Sequence, residues 1–97
     1  MPAIHLSKGA ERDLREVLTY TVAQWGKQQA DNYMNGLDGL FAHLLAQPGI
    51  GRFYSLVHPR WQRIEHESHI ILYSFQKDGI TIQRVLHNRQ RLHRGLR

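Results

Sequence analysis

Apolar positions recur along this chain at two different periods. From residue 10 to residue 45 they fall three and four apart; beyond residue 60 they alternate or run together in short stretches. The first period belongs to helices packed on one side, the second to strands. "AIHL" (3–6) reads as a short strand, and Ser7 is placed to cap the helix that follows. Ala10, Leu14, Val17, Leu18, Thr21 and Trp25 then form one stripe, with Glu11, Arg12, Arg15 and Glu16 off it. Gly26 ends this helix, where glycine takes a left-handed cap at little cost. A second helix carries Ala30, Tyr33, Met34, Leu37, Leu40, Phe41, Leu44 and Leu45, so Trp25 closes one buried stripe and Tyr33 opens the next. It stops before "QPGIGR" (47–52), because Pro48 has no N–H to continue the ladder. So short a connection at Gly26 predicts an antiparallel helical hairpin.

After Gly51 the segments "WQRIEH" (61–66), "HIILYSF" (69–75) and "ITIQRVLH" (80–87) are short and rich in aromatic and β-branched residues. "KDG" (77–79) is a strong hairpin signal, since Asp-Gly accepts the positive φ angles of a tight turn; the "ES" link at 67–68 is a weaker one. The expected fold is therefore α+β: an N-terminal strand and a two-helix hairpin packed on a twisted antiparallel sheet, in the order β-α-α-β-β-β. In the last strand, alternation puts Ile80, Ile82, Arg84 and Leu86 on one face and Thr81, Gln83, Val85 and His87 on the other. Arg84 thus interrupts an apolar row. Either it lies at the core's rim with its head paired to a carboxylate, or it joins Arg63 of the neighbouring strand in a recognition patch.

Composition narrows the function classes. The 97 residues suit one domain spanning 1–97, and 41% of them are apolar, which is a globular rather than a disordered balance. No apolar run reaches the roughly 20 residues needed to cross a bilayer, and "MPAIHLSKGAERD" lacks a signal peptide's apolar stretch, so the expected compartment is the cytoplasm. There is no cysteine, which removes disulfides and thiol chemistry. The net charge of +5 is unevenly placed: residues 1–50 hold four Lys/Arg against five Asp/Glu, and residues 51–97 hold nine against three. The final stretch, "RVLHNRQRLHRGLR" (84–97), has five arginines, two histidines and no acid. Such a pole favours acidic partners, either nucleic acid or an acidic protein surface. Arginine rather than lysine favours planar, bidentate recognition of phosphate or carboxylate.

Enzyme signatures are sparse. The seven histidines include no HExxH pair, His66 and His69 flank a turn, and no cysteine completes a zinc set, so neither a metal nor another cofactor is expected. Glu65 and Glu67 read as solvated edge charges and Asp78 as a turn residue. No GxSxG, P-loop or dinucleotide fingerprint occurs, and "GIGR" (49–52) is too short to cradle a phosphate.

Taken together, "LSKGAERDLREVLTYTVAQWGKQQADNY", "LAQPGIGR", "HIILY" and above all "IQRVLHNRQR" resemble the ParE toxins of the RelE/ParE superfamily of bacterial toxin–antitoxin systems, over nearly the whole chain. The resemblance implies a RelE/ParE-like fold of two helices against a sheet. It also implies a toxin that traps the cleavage complex of DNA gyrase without itself being an enzyme. The expected partner is a ParD-type antitoxin, whose ribbon-helix-helix part binds operator DNA and whose acidic C-terminal segment wraps the toxin. For the target-facing surface the expected residues are Arg63, Arg84, His87, Arg89, Arg91, His93 and Arg94, the last four in a basic tail at 88–97. For the antitoxin they are Arg52, Arg60 and the outer helix surface. The alternative is the sister branch of RelE-like, ribosome-dependent mRNA endonucleases. Arg63 and Arg84 match that branch's strand arginines, but no tyrosine follows Tyr73, leaving only His87 or His93 as a C-terminal acid/base. A general nucleic-acid-binding module is a third class, weakened by the lack of aromatics interleaved with the tail's arginines.

Overall fold

A computed structural model describes residues 3–87. Arg89, Arg91, His93 and Arg94, with the rest of the basic tail at 88–97, lie outside the described residues. The chain runs β1 (Ala3–Leu6), α1 (Lys8–Trp25), α2 (Lys27–Ala46), a short 3₁₀ turn (Pro48–Ile50), β2 (Arg52–Phe53), β3 (Gln62–His66), β4 (His69–Gln76) and β5 (Gly79–His87). This is the predicted order with the two-residue strand β2 added.

Local chemistry sets the helix ends. Ser7 Oγ accepts the Ala10 N–H at 3.0 Å and donates to the Gln83 carbonyl at 2.8 Å, so one hydroxyl starts α1 and ties it to β5. Gly26 alone separates α1 from α2, at φ 92° and ψ 170°, a combination only glycine adopts readily. Its N–H bonds the Val22 carbonyl at 2.9 Å and closes the first helix.

The sheet has the order β1-β5-β4-β3-β2. Its last three strands form the expected antiparallel meander, but β1 pairs parallel with β5, in register Ala3↔Gly79 to Leu6↔Ile82, so the sheet is mixed. No tight turn joins β1 to its neighbour, so nothing local enforces the antiparallel sense. Gly79 permits the pairing: at φ 142° it lies so close to the Ala3 backbone that a Cβ would overlap the Ala3 carbonyl.

The alternation predicted for β5 is broken. Tyr73 pairs with Ile82 but Leu72 pairs with Arg84, leaving Gln83 as the extra residue of a β-bulge. Ile80, Ile82 and Val85 therefore share the helix-facing core, while Leu86 joins Ile70 and Leu72 in a separate cluster. The helix-facing core takes Ala10, Leu14, Tyr33, Leu37 and Leu44 from the helices and Ile71, Tyr73, Ile80, Ile82 and Val85 from the sheet. Trp25, assigned above to the buried stripe of α1, is instead 70% exposed. It stands in the last turn of α1 and lines a pocket with the strand residues His69 and His87.

Beyond Leu6, β1 no longer covers β5, and α1 takes over that edge. Asp13, only 7% exposed, accepts the Val85 N–H at 2.8 Å, Arg84 Nε at 2.7 Å and Arg84 Nη2 at 3.1 Å. The rim reading of Arg84 is therefore the observed one, and the carboxylate is Asp13. The arginine stem crosses Gly9, where a Cβ would come within 3.1 Å of Arg84 Cδ. Asp13→Ala should lower stability by about 2–4 kcal/mol, because it strips a buried N–H and a half-covered guanidinium of their acceptor. Urea unfolding measures this, and a loss below about 1 kcal/mol would mean that water replaces the carboxylate.

Candidate functional site

Register determines which charged residues meet. Arg52 faces Arg63, Arg63 faces Leu72 and Leu72 faces Arg84, so one row crosses four strands on a single face. Arg52 and Arg63, assigned above to different partners, are direct cross-strand neighbours. By alternation Trp61, Arg63 and Glu65 of the β3 run share this face with Arg52 and Tyr54. Tyr54 and Trp61 pack on Ile70, Leu72 and Leu86. Among the described residues, no helix takes part in that second cluster. Arg60 is exposed in the turn before β3.

Arg84 belongs to the row by register, but its guanidinium is turned over the strand edge to Asp13. That hydrogen bond raises its pKa above the ordinary arginine value, with burial opposing and the Asp13 and Glu16 charges adding to the rise. His87 lies on the other face, opposite His69 and beyond Val85. The structure thus sets Arg52 beside Arg63, leaves Arg84 in their row by register alone with its guanidinium on Asp13, and separates His87 from them.

The segment carrying Arg52 is pinned from below. The Tyr73 hydroxyl, in the core, accepts the Gly51 N–H at 2.8 Å and lies 2.7 Å from the Pro48 carbonyl and 2.9 Å from Gln62 Oε1. One hydroxyl hydrogen cannot serve both acceptors; turning the Gln62 amide over lets its nitrogen donate instead. A Cβ at Gly51 would fall 2.5 Å from this oxygen, so the glycine is required by contact. Burial raises the Tyr73 pKa, partly offset by the Gly51 hydrogen bond.

A second constellation sits on the helix-facing side. Tyr33 of α2 packs edge-on against His66 (5.2 Å between centroids) and His69 (5.4 Å), and His69 packs edge-on against His87 (5.6 Å). The Tyr33 hydroxyl is 3.3 Å from His69 Nδ1. His66 presses on Gly36, and its Nε2 is buried without a hydrogen bond, 3.9 Å from a Glu67 oxygen. Glu67 holds the β3–β4 turn at φ 54°, a left-handed conformation costly for a residue with a Cβ. Tyr33, Glu67, Ser68, His69 and His87, with Glu16 and Trp25, line a pocket of about 470 Å³. Burial, then the Glu67 charge, pushes the Tyr33 pKa up to about 12, so the phenol stays protonated. Burial, then His87 and His66, lowers the His69 pKa, with Glu67 opposing. Sequence spacing pointed to His87 but missed Tyr33 and His69 as its companions, because only α2 packing and strand register bring them together. Among the described residues, no three His, Asp or Glu side chains are grouped to hold a metal.

His69 gives a pH dependence of definite sign. Its folded pKa lies below the ordinary 6.5, so the unfolded chain binds the proton first and neutral His69 favours folding. This contribution is complete above pH 6.5 and is lost as pH falls through the folded value. On acidification from pH 8 to 5, the wild type should lose more stability than His69→Gln. Parallel urea titrations test this; equal slopes would show that His69 titrates as in the unfolded chain.

Comparison with known proteins supplies the family. The family model for the ParE toxin of the type II toxin–antitoxin system parDE matches residues 4–92. Toxin ParE1 of Mycobacterium tuberculosis is 33% identical over 92 residues, covering 94% of both chains. Toxin ParE1 of Caulobacter vibrioides is 29% identical over 89 residues, covering 90% of both. Among solved structures, a chain of the chromosomal ParDE system of P. aeruginosa superposes with a TM-score of 0.73 at 19% identity, over 90% of this chain and 96% of that one. YafQ from E. coli gives 0.60 at 14% identity, over 93% and 97%. These two show shared architecture, whereas the family model and the sequence relatives reach further: the chain belongs to the ParE toxin family of type II toxin–antitoxin systems.

Proposed function

We propose that this family member poisons DNA gyrase by binding, trapping the cleaved DNA complex rather than catalysing a reaction, and that a ParD-type antitoxin neutralises it. The observation that carries the reading is the family match from residue 4 to residue 92, which takes in both helices, the sheet except Ala3 and the first half of the basic tail. A ribbon-helix-helix antitoxin would hold operator DNA, so the toxin would reach that DNA only through its partner. Its acidic segment complements the basic half of the chain. The work belongs in the cytoplasm, where gyrase is; no helix among the described residues is long and apolar enough to cross a membrane.

Arg63, Arg84 and His87, continued by Arg89, Arg91, His93 and Arg94, are assigned to the target. Arg52, Arg60 and the outer helix surface are assigned to the antitoxin. The register gives this division a consequence. An acidic segment laid on Arg52 also covers Arg63, so antitoxin and target compete for adjoining arginines. Neutralisation then works by occlusion.

A second reading, a ribosome-dependent mRNA endonuclease, is favoured by the pocket in which Tyr33 can donate a proton and His69 or His87 can accept one. A gyrase supercoiling assay separates the two: linear, gyrase-bound DNA supports poisoning, while untouched gyrase with cut ribosomal mRNA supports the nuclease. Removing residues 88–97 should abolish gyrase trapping, by tenfold or more, and leave antitoxin binding intact. Loss of both would place the tail on the antitoxin surface instead.

A further inference from the structure

Arg52 and Arg63 stand directly opposite one another on adjacent strands, an arrangement of like charges that weakens a sheet. Among the described residues neither has an ion pair; the pairs formed there are Lys27–Asp31, His66–Glu67 and Arg84–Asp13. The two arginines line a recess of about 320 Å³ with Ile50, Ile64 and Glu65. Glu65 is the acid nearest in register, but it faces Ile70 and bonds neither arginine. Two unpaired arginines at a recess suit an anion from outside the chain, held by planar, bidentate contacts.

Beside them lies a ladder of flat rings. His58 stacks on Trp61 with centroids 3.8 Å apart and planes 9° apart, and Tyr54 stacks on Trp61 at 6.3 Å and 26°. His58 is exposed at the outer end. Alternation puts Tyr54 and Trp61 on the face of Arg52 and Arg63, so the interleaving of basic and aromatic residues that the tail lacks is present on the sheet. An acidic peptide would satisfy the arginines but gains little from stacked rings. A base gains from both.

We infer that the face built from Arg52, Arg63 and the His58–Trp61–Tyr54 ladder binds single-stranded nucleic acid, the arginines holding a phosphodiester and the ladder stacking a base. This goes beyond the gyrase reading: it requires no topoisomerase, involves no strand cleavage, and stands or falls separately.

Fluorescence anisotropy of the full chain with labelled 12-nucleotide dT and U oligomers tests it, with a thermal melt by circular dichroism to show that each variant folds. Arg52→Ala with Arg63→Ala should weaken binding at least tenfold and flatten the slope of log affinity against log salt by about 0.7 for each phosphate left without its arginine. His58→Ala should weaken binding about fivefold or more, as for the removal of one stacked base. Tighter binding of either oligomer supports the proposal and identifies the source, DNA or RNA. The tail contributes equally to every variant, and Lys77→Ala, at the β4–β5 turn, gives the scale for removing a generic positive charge. A double-arginine effect no larger than that of Lys77→Ala assigns binding to the tail and overturns the proposal. So does a 12-residue polyglutamate that competes as well as the oligomers while His58→Ala changes nothing, which marks the face as an acidic-peptide site.

Discussion

The carboxylate of Asp13 is the contact on which the rest of the molecule turns. β1 covers β5 only as far as Ile82, and an uncovered strand in the middle of a fold would expose backbone donors to pairing with another chain. Asp13 bonds the Val85 N–H, so a helix side chain completes what a strand leaves open. The same two oxygens hold Arg84, which keeps that cation from joining Arg52 and Arg63 as a third unpaired charge. The bulge at Gln83 belongs to this arrangement, since it puts Val85 on the core side while Arg84 is at the edge beside α1. Edge closure, charge pairing and register are thus one local event.

The two faces of the sheet then differ in chemistry. Towards the helices, burial keeps the phenol of Tyr33 protonated and favours neutral imidazole at His69, so that side carries proton donors and acceptors. On the other side, fixed register holds Arg52 and Arg63 side by side. Tyr73 links the two, because it sits in the helix-facing core yet fixes, through Gly51, the strand on which Arg52 is displayed. Changes in the core can therefore alter the cationic face without touching it.

Helix boundaries were legible in the sequence because they rest on local chemistry: the Ser7 hydroxyl, the positive φ of Gly26 and the missing N–H of Pro48. The meander was legible from its turns and from the density of Ile and aromatic residues. The parallel seating of β1 was not, since its cause is a backbone approach at Gly79 that no neighbouring residue signals. The face of Arg84 was misjudged for a similar reason. A single unpaired residue reverses alternation, and Gln83 has nothing in its side chain to announce it. Of the candidate site residues, the arginines could be singled out as a type, but the meeting of Arg52 with Arg63 follows only from register across the loop between β2 and β3. Trp25 has a helical period suited to burial, yet the fold leaves most of its ring in solvent.

β5, at residues 79–87, follows every other described element in the chain, yet it lies inside the sheet between β1 and β4. While the chain is still being synthesised, β1 has no strand beside it, Ser7 has no Gln83 carbonyl and Asp13 has no Val85 amide to bind. The helical hairpin can form early, but the core against the sheet closes only when β5 arrives. Any partner that reads the finished sheet meets it only after β5 has joined β1 to β4.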